Sequence, residues 1–424
     1  MKEDIQITRF ENGLTILTDR MTDVRSATLG FFFRKGSRDE PDELNGISHF
    51  IEHTVFKGSE RRTALDIAIE TDRLGGSLDA FTTHEETGFA IKVIDKQIGA
   101  AFDLLADMLA NPRFDEKDLK REQRVIIEEI KMVEDTPEEY LGEIFGLALF
   151  PDHPLGLSIA GTPKTVRAFS REVTEKYHRE VFNPANLVIA AAGNIEHAQI
   201  VDLAAKFFGT GAKTKDRRSK IEAPVIASPI LIKKNRNLEQ VHVHIAAPFV
   251  GAEDERRYAA DLLTSVLGGG TSSRLWQKVR EERGLAYSVG ASAAMFQDCG
   301  FFSIYAATSP KQTGEVLDIA IDEMKMLVRD GVTDEELRLA KDQAVASILL
   351  GLEDSSVRAG TLARLEMVHG RQIPVDETLA RLEAVTPEEI QALAGEYFRT
   401  EKIAFAALGN LNGFKVTRER LDVS

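Results

Sequence analysis

The chain carries His49, Glu52 and His53 in the run Gly46-Ile-Ser-His-Phe-Ile-Glu-His-Thr-Val. On a helix, residues four apart lie one turn apart on one face, so His49 and His53 project side by side. Two imidazoles at that spacing can bind one divalent ion. Neutral nitrogens suit zinc, which keeps an open position where it catalyses. Glu52 beside them is a carboxylate able to take a proton from zinc-bound water, whose pKa falls to about 7. A catalytic zinc takes three protein ligands, and no third histidine follows nearby, so the remaining ligand must come from another element. Segment 115–133 offers candidates in Arg121-Glu-Gln-Arg-Val-Ile-Ile-Glu-Glu-Ile. Glu122 and Glu129 stand two helical turns apart and share a face, whereas Glu128 points about 100° away. Spacing alone does not exclude Glu128.

The elements that must position these groups come in two copies. Gly88-Phe-Ala-Ile-Lys-Val, a helical stretch and Phe114-Asp-Glu-Lys-Asp-Leu are echoed by Phe301-Phe-Ser-Ile-Tyr-Ala, a helical stretch and Val332-Thr-Asp-Glu-Glu-Leu. Leu187-Val-Ile-Ala-Ala-Ala-Gly-Asn matches Ile403-Ala-Phe-Ala-Ala-Leu-Gly-Asn. Phe89 thus corresponds to Phe302, Leu119 to Leu337 and Asn194 to Asn410, in one order and at a nearly constant offset, as a duplicated domain requires. At the offset that carries Leu119 to Leu337, Ala340 and Ser347 stand where Glu122 and Glu129 do, and the second copy has no H-x-x-E-H. Strand patterns at 27–33 and 241–246 and amphipathic helical patterns at 98–111, 115–133, 315–329 and 333–350 give each copy both kinds of element. Because strands occur in pairs as well as between helices, the expected class is α+β: two homologous layered domains, each a mostly antiparallel sheet packed with helices. The expected division is 1–208, a charged, proline-closed linker at 209–229, and 230–424.

With H-x-x-E-H in this setting, the chain resembles the inverzincins of the pitrilysin and mitochondrial-processing-peptidase family. The resemblance runs from the first strand to Gly409-Asn410. It implies that a glutamate far along the chain from the second histidine, Glu129, completes a one-zinc site, with Glu122 supporting it from behind. It also implies that Arg280 and Tyr287, in Gly268-Gly-Gly-Thr-Ser-Ser-Arg-Leu-Trp and its continuation, reach the zinc from the second domain. A guanidinium and a phenol there suit the oxyanion formed when water attacks a peptide carbonyl. The segment Gly75-Gly-Ser-Leu-Asp-Ala-Phe-Thr-Thr-His-Glu matches an exposed strand edge that pairs with substrate, which brings in Asp79, Ala80, Phe81, Thr82 and Glu85. Asp79 departs from the asparagine that relatives often carry there.

The implied protein is a zinc endopeptidase acting on peptides or unfolded segments. Relatives close four such domains around a chamber, so two-domain chains imply a dimer, and the presence of both half-sites here permits a homodimer. The rivals are a non-catalytic scaffold and a subunit active only with an unlike partner. The net charge of −15 argues against nucleic-acid binding and favours basic peptides. No apolar run approaches the roughly 20 residues of a membrane helix, and neither a secretion signal nor a transit peptide is recognisable, so a bacterial cytoplasmic protein is expected. The single cysteine, Cys299, excludes a cysteine-rich metal site and reads as a small buried hydrophobe. His242 and His244 share a strand face but lack a third partner, and His153, His178, His197 and His369 read as surface or capping residues.

Overall fold

A computed structural model describes residues 3–209, 222–411 and 413–424. Strands β1 (Ile5–Arg9), β2 (Thr15–Arg20), β3 (Ser26–Phe33), β4 (Ser77–Thr82), β5 (Thr87–Ile94) and β6 (Leu187–Gly193) form one sheet, in the order β1-β2-β6-β3-β5-β4. Strands β7 (Ile230–Lys234), β8 (Val241–Phe249), β9 (Ala286–Met295), β10 (Gly300–Thr308) and β11 (Ala404–Gly409) form the other, in the order β7-β11-β8-β10-β9. The two ladders repeat one another. Each opens on a parallel pair, β2 with β6 or β7 with β11, and then runs antiparallel through three further strands. The first sheet adds β1 at its margin. This is the duplicated α+β fold expected from the repeats, and helices Ile98–Ala110, Glu116–Asp135, Thr313–Asp330 and Asp334–Gly351 fall on the four periodic segments. No helix among the described residues is long and apolar enough to cross a membrane.

Burial on both faces explains why the central strands read as unbroken apolar runs. Phe31, Phe33, Ile189 and Ala191 face a large core that includes Phe50, Phe102 and Ile126. The alternate residues Phe32, Val188 and Ala190 face Leu362 and Ala363. In the second sheet, Val243, Ile245 and Phe405 face one core and Ala246, Ala404 and Ala406 the other.

The helices that cover these second faces come from unexpected places in the chain. One compact unit contains the chain up to Met132, the segment from Leu157 to the end of helix His197–Phe208, and Leu349–Ile373. The other contains Val133–Gly156, Glu222–Ile348 and Pro374–Ser424. The compact units therefore differ from the contiguous halves 1–208 and 230–424, and most of the linker expected at 209–229 lies outside the described residues. Helix Ser355–His369 packs on the first sheet, whereas helix Pro137–Leu149 packs on the second through Leu141, Phe145 and Leu149. Pro137 and Ser355 start these helices at the same offset that separates Leu119 from Leu337, so the duplication has exchanged equivalent elements. The physical reason is that a sheet with two apolar faces must cover both, and the nearest apolar helix in space need not be the nearest in sequence.

Polar contacts fix helix Ser355–His369 to its sheet. Arg358 forms an ion pair with Asp19 of β2, both side chains being almost fully buried. Glu366 takes Arg9 of β1 and, at 3.3 Å, Arg34. Ser355 Oγ lies 2.8 Å from Thr28 Oγ1.

Two expectations about single residues meet different outcomes. His178 is not at the surface: it is buried, and its Nε2 lies 2.8 Å from the Leu109 carbonyl oxygen. It falls on the inward face of its helix with Thr174 and Tyr177, and burial pushes the imidazole down to about 4. Cys299 is buried, as a small apolar side chain would be.

Breaking a buried ion pair strands one charge, which costs about 3–5 kcal/mol. Arg358→Leu is therefore expected to lower the unfolding free energy by that amount, whereas Arg381→Leu, which removes an exposed partner of Glu255, is expected to cost less than about 1 kcal/mol. Equal losses in urea titrations of the two variants would contradict this role for the Ser355–His369 helix.

Candidate metal centre

Helix Ile47–Thr54 presents its apolar residues Ile47, Phe50 and Ile51 to the core, which leaves His49, Glu52 and His53 on the outer side. Its start is built by two devices. Gly46 adopts φ 96°, and a Cβ at that position would meet the Ala160 carbonyl oxygen at 2.7 Å, so only glycine fits. The buried Glu40 carboxylate accepts hydrogen bonds from the backbone N–H groups of Gly46 and Ser48, each at 2.7 Å. Those donors have no intrahelical partner, and a carboxylate at a helix N-terminus also meets the positive end of the dipole. Burial nevertheless pushes Glu40 up to about 7, against the pull of those N–H groups.

The second helix of the site is Glu116–Asp135, whose buried face carries Leu119, Glu122, Ile126 and Ile127. Glu122 is 2% exposed, with one oxygen 3.5 Å from His53 Nδ1 and the other 3.0 Å from Lys57 Nζ. Burial works to raise its pKa, but His53 and Lys57 together hold it below the usual carboxylate range. Two turns further along, Glu129 Oε2 lies 3.6 Å from His53 Nε2. Glu128 points outward to Lys131, at 2.7 Å, which removes it from the set.

His49, His53 and Glu129 each contribute one ligand atom, and the three atoms lie within 4.8 Å of one another. The two rings meet edge to face at 4.6 Å. Burial, reinforced by the neighbouring His53, pushes His49 down to about 4, so its ring is neutral at physiological pH. Its Nδ1 is buried without a hydrogen-bond partner among the described residues. His53 behaves oppositely: burial lowers it, but Glu122, Glu129 and Glu52 outweigh burial and raise it. With Glu122 on Nδ1, the proton of a neutral His53 sits there and Nε2 keeps its lone pair. Two imidazole nitrogens and a carboxylate, one of the rings having an orphaned nitrogen, fit a divalent ion with one open position.

Glu52 stands beside these three. Burial raises its pKa, Thr82 and His53 oppose the rise, and the Glu129 charge adds to it. Thr82 Oγ1 donates to Glu52 Oε2 at 2.6 Å and so fixes the carboxylate. Thr82 belongs to β4, an edge strand of the first sheet. On this strand Leu78 and Ala80 pack toward the main core, and Phe81 packs on the opposite face against Phe32. Asp79 is exposed and accepts from Ser77 Oγ at 2.6 Å. Glu85 pairs with the buried Arg38 at 2.7 Å. Among the substrate-edge residues expected from sequence, Thr82 meets the metal centre's own side chains, through Glu52.

Arg280 and Tyr287 belong to the second unit. Arg280 lies in a π-helical segment, Trp276–Glu281, and donates from Nη1 to the Tyr287 carbonyl oxygen at 2.8 Å. Tyr287 lies at the start of β9 and is 77% exposed. His242 and His244, the other pair sharing a face, attend Tyr305 instead, with His242 Nδ1 2.8 Å from the phenol oxygen.

Sequence reasoning missed Glu40 and Lys57, and it placed Thr82 on the substrate rather than on Glu52. No spacing rule links position 40 to a helix that starts at 47, or position 82 to 52. Only packing brings them together. Because Glu122 holds the His53 ring, Glu122→Ala is expected to weaken zinc retention about 10- to 100-fold, measured by competition with a chromogenic chelator. Unchanged retention would show that Glu122 serves packing alone.

Known proteins resemble the chain in sequence and in fold. Residues 15–163 match the family described as insulinase (peptidase family M16), and residues 168–344 match the peptidase M16 inactive domain. An uncharacterised zinc protease of Streptomyces coelicolor is 39% identical over 92% of this chain and 86% of its own length. An uncharacterised zinc protease of Bacillus subtilis is 36% identical over 94% of this chain and 96% of its own length. The crystal structure of a protease from Helicobacter pylori, 21% identical, covers 96% of this chain and all of its own with a TM-score of 0.88, which shows a shared fold. A duplicated α+β fold, an H-x-x-E-H helix and relatives of this similarity along nearly the whole chain have one common explanation: the chain belongs to the M16 family of insulinase- and pitrilysin-type metallopeptidases, as a bacterial-type member.

Proposed function

We propose that the chain is a zinc-dependent endopeptidase that hydrolyses peptides or unfolded segments, with one zinc per chain held by His49, His53 and Glu129. The observation that carries this reading is the convergence of those three donors within 4.8 Å of one another, beside a carboxylate of raised pKa. Zinc, when bound there, supplies a polarised carbonyl and a water acidified toward a pKa of about 7. Glu52 Oε2 is held by Thr82, so Oε1 is the oxygen that takes the water proton and passes it to the leaving amine. A carboxylate whose pKa is raised by burial is a stronger base than an exposed one and is suited to that transfer. Tyr287 and Arg280 donate to the developing oxyanion. The main chain of β4, an edge strand, pairs with an extended substrate, which allows many sequences to be accepted.

A net charge of −15 favours basic peptides. A homodimer forms the working chamber, and the Arg280–Tyr287 pair of one subunit serves the zinc of the other. The rival reading, a subunit active only with an unlike partner or a scaffold, draws support from the description of the family segment matched by 168–344 as an inactive domain.

The decisive measurement is zinc content and cleavage of a quenched basic peptide for wild type and Glu52→Gln. Zinc retained, with turnover reduced about 10²- to 10⁴-fold, is the expected result; undiminished turnover in Glu52→Gln would overturn the assigned base. Wild type that holds zinc without turnover would favour an unlike partner, and wild type without zinc would favour the scaffold. Complementation tests the dimer: an Arg280→Ala/Tyr287→Phe variant mixed with Glu52→Gln is expected to regain activity as subunits exchange. Exchange without recovery would rule out catalysis across the subunit interface.

A further inference from the structure

Arg280 and Tyr287 are seven positions apart, and a third side chain completes their cluster. The Arg280 guanidinium lies 4.1 Å from the centroid of the Trp276 ring and 4.4 Å from that of the Tyr287 ring. It is thus in contact with two aromatic rings, and its Nη1 also donates to the Tyr287 carbonyl oxygen at 2.8 Å. The indole N–H of Trp276 donates to Glu281 Oε1 at 3.0 Å, which fixes the ring.

The backbone is shaped to allow this. Trp276–Glu281 is π-helical, a rare conformation concentrated at functional sites, and the Glu282 N–H reaches back to the Gln277 carbonyl at 2.9 Å. Gly284, at φ 60°, then reverses the chain so that β9 starts beside the segment it has just left. Within this arrangement Val279 and Leu285 are buried, whereas Tyr287 remains exposed. An exposed tyrosine and a long arginine side chain would ordinarily sample many rotamers, and ordering them costs entropy. Contact of a guanidinium with indole and phenol faces offsets that cost.

We propose that Trp276 is a positioning residue that holds Arg280, and through it Tyr287, in one arrangement before substrate arrives. The proposal rests on the functional reading above, in which that pair meets the oxyanion. In this role Trp276 acts through Arg280 rather than on substrate or metal. Phenylalanine in its place would keep an aromatic face for the cation, and leucine would not.

Trp276 is also the sole tryptophan of the chain, so its emission reports the contact without any activity assay. Trp276→Leu is expected to lower kcat on a quenched peptide about 5- to 30-fold with KM nearly unchanged, and Trp276→Phe is expected to recover most of that loss. In an Arg280→Leu background, adding Trp276→Leu is expected to cost nothing further, because the tryptophan would have nothing left to hold. Arg280→Leu alone is expected to move the Trp276 emission to longer wavelength as the indole gains contact with water. Full activity of Trp276→Leu, losses that multiply in the double variant, or unaltered emission in Arg280→Leu would each overturn the proposal. A wild type that cleaves nothing would sink the functional reading, and the emission measurement would still decide whether the clamp exists. Thermal melts of every variant separate unfolding from loss of positioning.

Discussion

Two imidazoles on one turn of helix fall short of the three protein ligands a zinc site takes, and the packing of the first unit brings a carboxylate to them. Glu129 stands far from His53 in the chain, on a different helix. A single apolar core including Phe50, Ile51, Leu119, Ile126 and Ile127 contains residues of both helices. Burial of those side chains, at roughly 25 cal/mol per Å² of apolar surface, far exceeds what the metal ligands could contribute to docking before an ion binds. The core sets the positions, and the donors then fall within 4.8 Å of each other.

Around that centre the polar groups are arranged to give neighbouring residues different protonation behaviour. His49, half-buried, is kept neutral by desolvation, whereas His53, set among carboxylates, is drawn toward its protonated form. Glu122 is held below the usual carboxylate range because His53 and Lys57 outweigh its burial, whereas burial raises Glu52 against the opposing pull of Thr82 and His53. Two carboxylates within one site are thus shifted in opposite directions by their surroundings. Glu40 extends the arrangement to the far end of the histidine helix by accepting from its first N–H groups.

Duplication supplied two copies of the scaffold and allowed them to diverge. Apart from the added β1, the ladders remain equivalent strand by strand, yet Ala340 and Ser347 occupy the positions of Glu122 and Glu129. Ala340 is buried where its counterpart is a buried glutamate, so the second copy packs that helix in the same way without the carboxylate. What the second copy displays instead is a π-helical turn with a guanidinium in contact with two aromatic rings. The equivalent helices Pro137–Leu149 and Ser355–His369 each complete the sheet of the other half, an arrangement that makes the two contiguous halves poor candidates for separate folding.

Periodicity and spacing reach only as far as local geometry does. The duplication, the α+β class and the four long helices were legible because repeats and 3.6-residue patterns are properties of consecutive residues. For the same reason the i, i+4 histidines and the shared face of Glu122 and Glu129 could be read directly from sequence. The choice between Glu128 and Glu129 could not be read from helical spacing alone, since it depends on which way the Glu116–Asp135 helix is rotated in its core; burial of Leu119, Ile126 and Ile127 turns Glu129 inward and sends Glu128 to Lys131. The hold of Thr82 on Glu52, the reach of Glu40 to Ser48 and the exchange of the two covering helices likewise join residues with no regular separation. What the sequence determines by itself is which side chains share a face, because that follows from backbone period. Which faces meet is decided by the collective burial of apolar surface, and that is a property of the whole fold.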